Sequence, residues 1–92
     1  MRALIEILKD ENNLIENLIE NDQAAQRTTK RLDEAENSPF ECTAKIVDIE
    51  RYSRELNELS NMREAYEKSL HDIRLEILDY FQELMSMEAS RN

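Results

Sequence analysis

The chain has 92 residues, 36% of them charged, with one proline, one cysteine, no glycine and no tryptophan. Its formal net charge of −9 makes phosphate backbones and anionic lipid surfaces poor partners, so neither nucleic acid nor membrane is expected as a ligand. Without glycine the chain lacks the usual residue for left-handed turns and phosphate-cradling loops, which excludes or strongly disfavours P-loop, dinucleotide-binding and most β-hairpin folds.

What remains is an all-α chain forming a single domain over residues 1–92. The first helix is expected from about Arg2 to Glu36. Leu4, Ile7, Leu8, Leu14, Ile15, Leu18 and Ile19 recur at helical spacing, and Leu32 and Ala35 resume the stripe. Between them the face is thin, with Asn21, Ala25 and Thr28 where apolar residues belong. Arg27-Thr28-Thr29-Lys30-Arg31 is a basic cluster without aromatic neighbours to stack bases, and it reads as a solvated face.

Ser38-Pro39-Phe40-Glu41 is the main punctuation. Ser38 and Glu41 have the spacing of a capping box, and Pro39 suits a first helical position. With Asn37 as a left-handed terminator, the expectation is a tight turn at 37–38 and a second helix from Pro39 to about Ala89.

That second helix carries a heptad. Cys42, Ile49, Leu56, Arg63, Leu70, Ile77 and Leu84 fall seven apart, as do Lys45, Tyr52, Leu59, Tyr66, Ile73, Tyr80 and Met87. Lys45 and Arg63 interrupt it. Ser60-Asn61 is the weakest interior point, where a third helix could begin, but the heptad passes through it in phase. Arg63 admits two readings, a device that selects register or partner or a side chain turned outward to solvent.

Groups that could support chemistry are few. Cys42 and His71 would lie roughly 40 Å apart along the hairpin, too far for a nucleophile–base pair, and Cys42 reads as a small apolar filler of the seam. Glu64, Glu67 and His71 share a face, but Lys68 stands where a Glu-x-x-His metal motif needs its carboxylate. Tyr52, Tyr66 and Tyr80 read as packed rings with hydroxyls at the edge. No enzyme activity, metal or cofactor is therefore expected. One cysteine rules out an internal disulfide, and Met1-Arg2-Ala3-Leu4-Ile5-Glu6 has too short an apolar run for a signal peptide, so the expected location is cytoplasmic.

Length sets the architecture. Folded back antiparallel, the second helix should overshoot Met1 by on the order of 15 residues. The overshoot and its approach are rich in apolar side chains, namely Ile73, Ile77, Leu78, Tyr80, Phe81, Leu84, Met85 and Met87, and these are the candidate partner-binding residues. A two-helix hairpin buries little by itself. Association is therefore expected, as a homodimeric four-helix bundle or coiled coil, or by docking onto another protein.

Leu4-Ile5-Glu6-Ile7-Leu8, Leu14-Ile15-Glu16-Asn17-Leu18-Ile19 and the polar Asn21-Asp22-Gln23 resemble the opening helix of FlgN-type flagellar export chaperones. Ile49-Glu50-Arg51 and Leu56-Asn57-Glu58-Leu59 through Arg63 are similar to that family's return helix. The resemblance covers about residues 4–70 and implies a cytoplasmic chaperone that holds hook-associated proteins before export through an amphipathic C-terminal segment, here residues 73–87. The functional expectation is thus a binding module, chaperone or adaptor, that takes a client helix on its C-terminal segment. The alternative is a structural coiled-coil subunit or homodimeric scaffold.

Overall fold

Two helices, α1 (Leu4–Glu36) and α2 (Thr43–Arg91), lie antiparallel in the structure, a computed structural model that describes residues 2–39 and 42–91, with α2 side chains described through Glu88. The fold is an all-α helical hairpin. Its envelope measures 76 × 16 × 15 Å. At ~1.5 Å per residue a 49-residue helix is about 73 Å long, so α2 alone spans the rod without a break at Ser60-Asn61. The 33 residues of α1 reach about 50 Å.

Cross-helix bonds fix the register. Arg2 reaches Glu76, Arg74 reaches Glu11, Arg63 reaches Asp22, and Asn21 reaches the backbone at Leu59. Read through these pairs, α1 carries a heptad seam of its own. Leu4, Glu11, Leu18, Ala25 and Leu32 alternate with Ile7, Leu14, Asn21, Thr28 and Ala35, and all ten are buried or half-buried. Asn21 and Thr28, the thin part of the face, are among its most buried members. The Asn21 amide donates to the Leu59 carbonyl at 3.0 Å, which meets one of its polar needs inside the seam.

The two polar interruptions of the α2 seam also find partners. Lys45 turns back along the hairpin and donates to the Ser38 carbonyl at 3.0 Å, tying α2 to the connection. Arg63 lies half outward and bridges Asp22 of α1 and Glu67 of its own helix, at 2.6 and 2.9 Å. Arg63 is thus turned outward, as the second reading expects, and it also cross-links the helices.

The connection differs from the expected turn at 37–38. Helix α2 starts at Thr43 rather than Pro39, because the Cys42 carbonyl is what accepts the N–H groups of Lys45 and Ile46. Pro39 stays outside the helix, and the Ser38–Glu41 capping box falls partly on Phe40 and Glu41, which lie outside the described residues. Asn37 is not left-handed. With φ −89° and ψ 2° it closes α1 in the bridge region, its N–H bonded to the Asp33 carbonyl at 3.0 Å. At the other end α1 begins at Leu4, two residues after the expected start, since Ala3 is extended and its carbonyl takes the first N–H groups.

Cys42 is likewise corrected. It is exposed and caps α2 beyond the end of the seam, so it fills no core position.

Candidate docking surface

The core is small. Ile7 and Leu70 are the buried apolar residues among those described, at 1% and 8% exposure. A compact chain of 10.9 kDa would expose about 5,600 Å², whereas this one exposes 7230 Å². Its radius of gyration of 21.3 Å compares with about 12 Å for a compact domain of this length. The excess area is about twice what one partner contributes to a standard protein interface, about 800 Å².

Much of the exposed apolar surface lies at the end of the rod away from the connection. There α2 continues past α1 and its seam runs on without a helix opposite. Leu84 and Met87 hold seam positions yet are 41% and 60% exposed. Phe81 and Met85, beside them, are 49% and 69% exposed. The Phe81 ring meets that of Tyr80 edge-on, with centroids 5.9 Å apart, which gives the overhang a locally fixed aromatic step.

The expected partner-binding residues divide into two groups. Ile73, Ile77 and Tyr80 are half-buried, at the level where Arg2 meets Glu76, and form part of the hairpin's own seam. Leu78, Phe81, Leu84, Met85 and Met87 are exposed. Three further residues that sequence reasoning did not assign to the surface join them: Ile5, Leu8 and Ile19 of α1, all exposed. Their signal was a second apolar stripe displaced by one residue from the α1 seam, at 5, 8, 15 and 19.

Heptad geometry places these stripes on sides of the rod. In an antiparallel pair, equivalent flanks of the two helices meet. One side is marked by a groove lined by Asn17, Ala24 and Met62, and the other by the Arg63–Asp22 and Arg74–Glu11 pairs. Ile5, Leu8, Leu78, Phe81 and Met85 share the second side. The first side carries acid at the open end, where Glu76, Asp79 and Glu83 with Arg2, Gln82 and Ser86 line a groove of about 750 Å³. Arg2 is held there by Asp10 and Glu76, and their hydrogen bonds, Asp10 first, raise its pKa further above the ordinary arginine value. Glu67 and then Asp22 do the same for Arg63.

Groups with metal or catalytic chemistry do not converge. Among the described residues no three His, Cys, Asp or Glu side chains are grouped to hold a metal ion, and Glu67 is engaged by Arg63. Cys42 caps the start of α2 and His71 lies far along the same helix, roughly 43 Å away. No described helix is long and apolar enough to cross a membrane. No protein-family model, curated protein or solved structure matches the chain.

Proposed function

We propose that this chain is a non-enzymatic protein-binding module, a small cytoplasmic chaperone or adaptor that takes a partner helix on the open end of its hairpin. One observation carries the reading: the α2 seam outlasts α1, so that Leu84 and Met87 occupy pairing positions with no helix across from them. Each apolar side chain of this kind gains roughly 1.5–3 kcal/mol when fully buried, before ordering costs are set against it. Phe81, Leu84, Met85 and Met87 together present an apolar face against which a partner helix would bury its own. The resemblance to FlgN-type chaperones leads to the same kind of partner.

A homodimeric scaffold is the second reading, and Ile5, Leu8 and Ile19 favour it, since a second hairpin lying alongside would cover this stripe of α1. Photocrosslinking separates the two. With a photoreactive residue in place of Leu84, irradiation in the native cell extract should give a discrete adduct heavier than two copies of the chain or of unequal composition. The same group at Asn57, an exposed polar position, should give none. An adduct of two identical chains supports the scaffold, and equal labelling from both positions contradicts a docking site at the open end.

A further inference from the structure

We infer that the occupant of the open end is an amphipathic helix with a basic edge, lying on α2 where α1 would continue; this rests on the protein-binding reading above. Charge is the deciding feature. Residues 75–88 contain Glu76, Asp79, Glu83 and Glu88 and neither Lys nor Arg. Of the nearby arginines whose side chains are described, both are already used, Arg2 by Asp10 and Glu76 and Arg74 by Glu11. Asp79, Glu83 and Glu88 have no ion-pair partner among the described residues.

The molecule supplies its own template for the occupant. Arg2, on the approach to α1, bonds Glu76 on the acidic flank at 2.9 and 3.2 Å. Glu83 lies one heptad further on the same flank, with Asp79 between. A helix extending the line of α1, with its apolar face on Leu84 and Met87, would present a base to Glu83 as Arg2 is presented to Glu76. Neutral or acidic helices would leave that flank without counter-charge.

A second copy of the chain fits less well. Antiparallel pairing of two overhangs would bring equivalent flanks together and set Glu83 against Glu83. Two chains of net charge −9 would also repel at long range.

The test is a fluorescence-anisotropy titration of the full chain with two labelled helical peptides of about three heptads. Both carry the same Leu seam, one with Lys and Arg along a single edge and the other with Glu there. The basic peptide should bind more tightly by on the order of tenfold at low salt, the combined effect of several exposed charge pairs. The difference should collapse near 1 M salt, where the screening length falls to about 3 Å. Glu83→Lys should shrink the preference, and Phe81→Asp with Leu84→Asp should abolish binding of both peptides at unchanged helicity. Equal affinity for the two peptides overturns the charge inference alone. Binding of neither overturns the protein-binding reading itself. A dimer in sedimentation that Phe81→Asp dissociates assigns the surface to a second copy and overturns the proposal.

Discussion

The two ends of this hairpin differ in what lies across from α2. Towards the connection, the paired helices are held by polar devices: Asn21 on the Leu59 carbonyl, Lys45 on the Ser38 carbonyl, and Arg63 between Asp22 and Glu67. The other end has cross-helix pairs of its own, Arg74 with Glu11 and Arg2 with Glu76, around the buried apolar residues Ile7 and Leu70, and then more apolar surface than α1 can cover. Polar pairs are directional and fix a register, while apolar burial is not directional and accepts any surface of suitable shape. The hairpin is thus held in register along its whole paired length and left available where α2 runs past α1.

The largest test of that contrast is removal of the shared apolar core. Leu70→Ala should lower stability by about 2–4 kcal/mol in urea unfolding followed by circular dichroism. A loss below about 1 kcal/mol would mean that Leu70 contributes little to holding the helices together. Next comes the buried polar contact. Asn21→Ala should cost about 1–2 kcal/mol by removing the donor to Leu59, whereas Asn21→Leu should match or exceed wild-type stability while producing mixed oligomers in sedimentation. A uniform wild-type mass for Asn21→Leu would deny Asn21 its role in register.

At the open end, Phe81→Asp combined with Leu84→Asp should change folding stability by no more than about 0.5 kcal/mol, because both residues are already exposed, yet remove partner binding. A large drop in melting temperature would show that these residues support the hairpin instead. The smallest effect is expected for Arg63→Ala. Its ion pairs are exposed, so the shift in melting temperature should be slight in low salt and vanish in high salt.

Much of this architecture could be read from the residues. Pro39 separates two glycine-free helical stretches, and the unequal lengths on its two sides require an overhang whichever residue begins α2. The heptad of α2 was equally plain, because large apolar residues mark it. That of α1 was hidden, since Glu11, Asn21, Ala25 and Thr28 hold seam positions with small or polar side chains. Their burial depends on what lies across from them, such as the Leu59 carbonyl, and no local pattern encodes that. The start of α2 escaped for a similar reason: a backbone carbonyl, at Cys42, takes the first helical N–H groups, and any residue type can supply one. At the docking surface, composition indicated an apolar end but could not divide it. The reach of α1 decides that Ile77 and Tyr80 are half-covered while Leu84 and Met87 are open.

Hydrogen exchange along α2, read residue by residue, addresses the account most directly. In the chain alone, amides beyond Gln82 should exchange close to the rate of an unsupported helix end, those from Leu59 to Leu70 should be protected, and adding the basic peptide should extend protection through Met87. Strong protection beyond Gln82 in the chain alone, unchanged on dilution, would mean that the end is already sealed, and would contradict the account.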